Sequence, residues 1–219
     1  GVVGTKKIID ILKKTGHSDL VFVLLSGGGS ALMPLPSTGI TIGDKQQIIN
    51  MMMSAGASID EINVVRKHLS KIKGGQLLSF VKTGCTVISL ILSDVIGDKI
   101  EIIASGPTTP DSSTFRDAEI ILKKYDIWKK IKNSAAGEVI IKGINGIIKE
   151  TPKPGDPVFG KVHNLVVGNN ILLCQKAEMY LKKHGLQAVY LGSYFDGEAK
   201  NFGVLLARLA AEIEKPPIA

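Results

Sequence analysis

Residues 86–92, Thr86-Val87-Ile88-Ser89-Leu90-Ile91-Leu92, form an almost unbroken apolar run that stops at Ser93-Asp94. A strand that does not alternate apolar with polar residues is expected to be covered on both faces, as in parallel sheets flanked by helices. Working outward, LVFVLL (20–25), HNLVVG (163–168) and LQAVYLG (186–192) repeat the pattern. Between and after them the spacing predicts helices over 3–15, where Ile8, Ile9 and Leu12 share a face, and over 43–57, 115–125, 133–142, 170–185 and 198–214. The capping box Ser58-Ile59-Asp60-Glu61 opens one more helix. Strands alternating with helices predict an α/β fold with a doubly wound, mostly parallel, Rossmann-like sheet. Residues 1–219 are expected as a single α/β domain, with the Pro/Gly-rich TPKPGDP (151–157) as an internal connection.

With 219 residues and 44% hydrophobic content, the chain can bury a core. No apolar run approaches the roughly 20 residues of a membrane helix, and the first residues lack the order of a secretory signal. A soluble protein is expected. Cys85 and Cys174 sit in apolar runs outside any CxxC or Cys/His cluster, which predicts reduced thiols in a cytoplasmic protein. The net charge of +7 is spread over lysine pairs on several helices, and aromatics make up only 5%, so a nucleic-acid surface is not expected. A basic balance does favour small anionic substrates. Met51, Met52 and Met53 are expected in the core.

Ligands of doubly wound sheets collect at the carboxyl ends of the strands. The polar motifs all follow apolar runs: Ser26-Gly27-Gly28-Gly29-Ser30, Ser93-Asp94, Gly168-Asn169-Asn170 and GSYFDGE (192–198). Three glycines between two serines let backbone N–H groups converge on an anion, although a ligand-free tight turn has the same composition. The loop is not a dinucleotide fingerprint, because Leu32 stands where the third glycine would be, and it is not a nucleophile elbow. Gly155, Gly160 and Lys161 imitate a Walker loop, but Val162 replaces its Ser/Thr and no strand precedes it.

On a helix, Asn63, Arg66, Lys67 and Ser70 would share a face carrying an amide, two cations and a hydroxyl, while Ile62, Val65 and Leu69 line another. That polar face is either solvated or suited to oxyanions. Lys73-Gly74-Gly75 offers a further cation and bare backbone at the start of another helix. His68 is expected to be packed rather than catalytic. Asp94, just past a buried strand, could hold Mg²⁺ or accept a hydroxyl proton, or could be a turn aspartate. Ser105-Gly106-Pro107-Thr108 is a turn with small hydroxyl residues around it.

SGGGSALMPLP (26–36), ASIDEINVVRKHLSKIKGGQL (57–77), LILSDVIGD (90–98) and IASGPTTPD (103–111), in this order, resemble the class II glycerate kinases, with VGNN (167–170) and DGEA (196–199) as weaker continuations. The resemblance implies a glycerate 2-kinase, which makes 2-phosphoglycerate from glycerate and ATP with Mg²⁺. It implies a larger Rossmann-like domain joined to a second, smaller one, the active site lying between them. It further implies a partial chain, lacking an N-terminal segment and the C-terminal domain and able to be inactive alone. Carried over, Ser26 to Ser30 would meet nucleotide phosphates or the substrate carboxylate. Arg66 and Lys67 would neutralise anions with support from Lys73, and Asp94 would be the catalytic base or the metal-holding carboxylate. Asn63, Ser70, Gly74, Gly75, Ser105, Gly106, Thr108 and Asn169 complete the expected binding set. The expected partners are glycerate and ATP, with no nucleic acid and no membrane and with a homodimer left open. The alternative is a noncatalytic module binding an anion or phosphometabolite. A nicotinamide dehydrogenase is disfavoured by the missing third glycine.

Overall fold

The computed structural model describes residues 1–195 and 197–213. The chain falls into two compact units, Gly1–Leu173 and Cys174–Ala219. The first unit begins with α1 (Val2–Leu12), β1 (Leu20–Leu25), a one-turn α2 (Gly29–Leu32), α3 (Ile42–Ser54) and α4 (Ile59–His68). It continues with a short 3₁₀ turn (Gln76–Phe80), β2 (Thr86–Leu92), α5 (Phe115–Lys124), α6 (Trp128–Ile131), α7 (Ala135–Ile144) and β3 (Val162–Gly168). Helix α8 (Asn170–Lys183) starts in the first unit and ends in the second, which also holds α9 (Ala199–Ile213).

The three strands form a parallel sheet in the order β1-β2-β3, with Leu20 opposite Thr86, Leu25 opposite Ile91, and Val87 opposite Val162. Parallel neighbours share a face, so Val87, Ser89 and Ile91 on β2 point the same way as Val21, Val23 and Leu25 on β1. That face is covered: Val87 is 2% exposed and Ser89 and Ile91 are fully buried. The opposite face differs from the expectation of strands buried on both sides. Leu20, Phe22 and Leu24 on β1, and Leu165 and Val167 on β3, are at least half exposed. The continuous apolar run therefore signalled a sheet without fixing how much of each face is covered.

Residues 186–192 are a second correction. They form no ladder among the described residues, and an apolar run becomes a strand only where a neighbouring backbone completes its hydrogen bonds. In Cys174–Ala219 the regular structure described is helical.

Helix starts follow the local chemistry closely. Ser58 and Glu61 close their capping box on α4, and Thr41 with Asp44 and Thr114 with Asp117 do the same for α3 and α5. Each such cap is worth about 1 kcal/mol. Helices α3 to α7 surround one core built on Met52, Val65, Leu69, Ala118, Leu122 and Ile140, all fully buried. Met52 joins that core as expected, whereas Met51 is only partly buried and Met53 is 54% exposed. Smaller clusters seat α1 against the 3₁₀ turn and close the carboxyl ends of β1 and β2 with Leu25, Ile91, Ile103 and Ala104. Both cysteines are thiols, and Cys85 donates to Gly16 O. The Walker-like stretch sits at the amino end of β3, the wrong end for a phosphate loop. Among the described residues, no helix is long and apolar enough to cross a membrane.

Candidate active site

Strand β1 ends at Leu25 and the chain turns at once through Ser26 to Ser30. Gly28 holds φ of 77°, a left-handed conformation that only glycine takes without strain, and Gly29 N–H closes the turn on Ser26 O at 3.2 Å. The other two glycines are demanded by close approach. A methyl group at Gly27 would collide with the Asp94 carboxylate, and one at Gly29 would come within 3.1 Å of Ala104 Cβ. Asp94 itself lies exposed two residues past β2, and among the described residues no hydrogen bond or ion pair engages its carboxylate. The β1 and β2 ends thus place a bare loop and an uncommitted acid side by side, as the strand-end rule predicts.

The loop also borders a cleft of about 310 Å³. Gly28, Ser30, Lys45, Gln46, Arg66 and Lys73 supply its polar lining, while Pro34, Pro36, Ile42 and Ile49 are among its apolar walls. Three cations share this space. Burial, and then the neighbouring Arg66 guanidinium, push the Lys45 ammonium down to about 7. Burial, followed by the charges of Lys45 and Arg66, does the same to Lys73. Burial also lowers Arg66, which stays charged because a guanidinium starts so high. Among the described residues no Asp or Glu lines the cleft, so no opposite charge there relieves it.

Beneath the cations runs a chain of side-chain hydrogen bonds. Lys73 Nζ donates to Ser30 O at 2.9 Å and to Ser30 Oγ at 2.7 Å. Ser30 Oγ shares a 2.9 Å bond with Ser105 Oγ, and Ser105 Oγ donates to Asn63 Oδ1 at 3.0 Å. Arg66 Nη1 reaches the same Asn63 oxygen only at 3.5 Å, a weak bond that leaves most of the guanidinium donors available. The chain depends on an unusual backbone, because Ala104, Ser105 and Gly106 are all left-handed, with φ of 52°, 61° and 60°. For the two non-glycine residues such conformations cost of order 1–3 kcal/mol each, offset by the contacts that hold them. Gly74 N–H donates to Ser105 O at 2.9 Å and Gly75 N–H to Gly106 O at 2.7 Å.

Several residues expected at the site hold its frame instead. Lys67 turns away from the cleft and pairs with buried Asp111, Nζ to Oδ1 at 3.2 Å, because that carboxylate needs a charge partner inside the fold. Ser70 does not share a helix face with Arg66, because α4 ends at His68; its hydroxyl bonds Leu35 O at 3.2 Å. Gly74 and Gly75 have spent their N–H groups on the 105–106 turn, and the helix after them is a five-residue 3₁₀ turn rather than an anion-binding terminus. Gly106 forms the other half of that pairing. Thr108 is buried, bonded to Ser89 on β2 and Asn164 on β3. Asn169 donates to Asp98 at 2.6 Å and accepts from Leu172 N–H at the start of α8. His68 is packed as expected, between Val64 O and Glu150, with its ring edge on Phe115.

The structure brings together Ser26 to Ser30, Asn63, Arg66, Lys73, Asp94 and Ser105. It adds Lys45, whose only sequence signal was a place in the first turn of a capped helix. Among the described residues no group of three or more His, Cys, Asp or Glu could hold a metal ion. Asp94 offers a single carboxylate, which fits a Mg²⁺ arriving with phosphates rather than a protein-made cage.

Residues 1–138 match the family model described as a domain of unknown function (DUF4147). Over 212 residues the chain is 41% identical to the glycerate 2-kinase of Pyrococcus horikoshii, covering 97% of this chain and 47% of that protein. It is 37% identical over 210 residues to the D-glycerate 2-kinase of Thermotoga maritima, covering 96% of this chain and 47% of that one. The crystal structure of the Thermotoga maritima glycerate kinase superposes with a TM-score of 0.78 at 36% identity, covering 97% of this chain and 48% of that chain. The chain thus spans about half the length of the curated relatives it matches. The match of residues 1–138 places it in the DUF4147 family, and over nearly its whole length it is a homologue of glycerate kinases.

Proposed function

We propose that the gene product containing residues 1–219 is a glycerate 2-kinase, transferring the γ-phosphoryl group of ATP to the 2-hydroxyl of glycerate to give 2-phosphoglycerate and ADP. The observation that carries this reading is the Asp94 carboxylate, uncommitted among the described residues, against Gly27 of a glycine loop whose Gly28 and Ser30 line a cleft of three cations. The names of the relatives supply the substrate.

In the proposed reaction the 2-hydroxyl oxygen forms a bond to the γ-phosphorus while the bond from that phosphorus to the bridging oxygen of ADP breaks. The hydroxyl proton must leave, and Asp94 would either accept it or hold Mg²⁺ together with the phosphates. Mg²⁺ bound with ATP would supply neutralisation of the phosphate charge. At Gly28, where nothing lies within 4 Å of the missing Cβ, the bare backbone would let a phosphate oxygen approach to hydrogen-bond distance, while the missing Cβ atoms of Gly27 and Gly29 make room for Asp94 and Ala104. Arg66, and Lys73 through Ser30, provide positive charge fixed before the substrates arrive, so little reorganisation is needed as charge shifts in the transition state.

A coupled assay tests the reading. Enolase consumes 2-phosphoglycerate directly but needs a mutase to use 3-phosphoglycerate, so signal from glycerate, ATP and enolase without mutase is the expected result. Signal only with the mutase would refute the 2-position, and no signal under either condition would refute the kinase. Calorimetric binding of a sugar phosphate in that last case would support a noncatalytic module.

A further inference from the structure

The structure assigns the cleft lined by Lys45, Arg66 and Ser30 to the carboxylate of the small hydroxy acid rather than to the nucleotide, and we propose Lys45 as a substrate-binding residue. This deepens the kinase reading and rests on it for the identity of the acid. Three observations support it.

The first is donor inventory. The Lys73 ammonium is engaged with Ser30 O, Ser30 Oγ and, at 3.4 Å, Ala104 O, which uses all three of its donors and makes it a strut for the glycine loop. Lys45 Nζ donates to Arg66 O alone, at 3.2 Å. Two of its donors, and most of those of Arg66, therefore remain for a ligand among the described residues. A guanidinium fork beside an ammonium suits a planar carboxylate held by both oxygens.

The second is charge. Lys45, Arg66 and Lys73 repel one another in a partly buried cleft that has no acidic lining residue among the described residues. Burying like charges is costly, and a bound anion would relieve that cost. The third is size. Small-molecule sites run from roughly 300 to 1,000 Å³, and this one, at about 310 Å³, lies at the lower limit. It admits a three-carbon acid, while its apolar walls, Pro34, Pro36, Ile42 and Ile49, leave little for a nucleotide to bond. The glycine loop touches the cleft through Gly28 and Ser30 and touches Asp94 through Gly27, so an acid anchored here by its carboxylate would present its hydroxyl towards the loop.

The test combines kinetics and calorimetry on the gene product containing residues 1–219, as wild type, Lys45→Gln, Lys45→Arg and the exposed control Lys129→Gln. Thermal melts establish that each variant is folded. The expected result is a KM for glycerate raised at least 10-fold in Lys45→Gln and largely restored in Lys45→Arg, with KM for ATP within 2-fold of wild type in all four. Glycerate binding by calorimetry should weaken in parallel. If wild type turns over glycerate and Lys45→Gln leaves its KM unchanged, or raises the KM for ATP instead, the assignment is overturned while the kinase reading stands. If wild type binds glycerate without turning it over and Lys45→Gln abolishes binding, the cleft assignment stands and the kinase reading fails. Absence of glycerate binding to wild type overturns the assignment outright.

Discussion

Gly27 and Asp94 lie so close that no side chain can be placed on residue 27 without displacing the Asp94 carboxylate. Gly27 is not needed for an unusual dihedral, since it is absent from the positive-φ residues. It is needed for space, which couples the glycine loop after β1 to the acid after β2.

Gly27→Ala should therefore act on chemistry more than on stability. The new methyl displaces Asp94, and misplacement of a reacting group by about 1 Å can cost 10²-fold in rate. The expected outcome is kcat for glycerate phosphorylation reduced by about 10²-fold, with a melting temperature close to wild type because Asp94 is exposed and free to move.

Asp94→Asn keeps the shape and removes the charge. If Asp94 handles the hydroxyl proton, kcat falls by about 10²- to 10⁴-fold with far-ultraviolet circular dichroism unchanged. Comparable turnover by the variant would remove Asp94 from the mechanism.

Lys67→Met and Asp111→Ala test whether Lys67 belongs to the frame. Removing one partner of a buried ion pair costs about 3–5 kcal/mol, so Asp111→Ala, which strands the Lys67 ammonium, should lower denaturant stability by about that much. Lys67→Met should cost less, because Asp111 keeps its bonds from Ser113 and Thr151. A raised KM for glycerate or ATP with unchanged stability would instead return Lys67 to the site.

The cleft lysines give opposite pH trends with and without substrate. Burial, and then Arg66, set Lys45 at about 7 against an ordinary 10.5, so between those values the unfolded chain binds more protons than the folded one. Ligand-free stability contributed by Lys45 and Lys73 therefore rises with pH from about 7 to 10.5. A bound carboxylate favours the charged amines, so glycerate binding should take up protons and its KM should rise above pH 7 by up to about tenfold per pH unit for each proton required. Melts and initial rates across pH 6.5 to 9 read both trends.

Glu150 sets an acid limit. Burial acts to raise its pKa, but bonds from His68 and from the N–H groups of Phe115 and Thr151 outweigh it and hold the carboxyl at about 2. The stability it contributes is present in full above 4.5 and is lost as pH falls towards 2. Glu150→Gln should flatten the acid limb of a stability-versus-pH curve.

Where the determining chemistry was local, the sequence was sufficient. The capping box at Ser58, the apolar runs at 20–25, 86–92 and 163–168, and the strand-end positions of Gly27 to Gly29 and Asp94 depend on neighbours a few residues apart. The end of α4 was not legible in this way: the backbone leaves the helix after His68, and the Ser70 hydroxyl donates to Leu35 O, far upstream in the chain.

The composition and order of residues by themselves determined a parallel α/β sheet with a bare loop and an acid at its carboxyl edge. Tertiary structure decided which cations serve that edge. Arg66 and Lys67 are adjacent on one helix and alike in sequence, yet Asp111, 44 residues away, claims one, while the fold of α3 against α4 brings Lys45 to the other. Charge pairing acts through space and is strongest where water is excluded, so its partners are fixed by packing and not by distance along the chain.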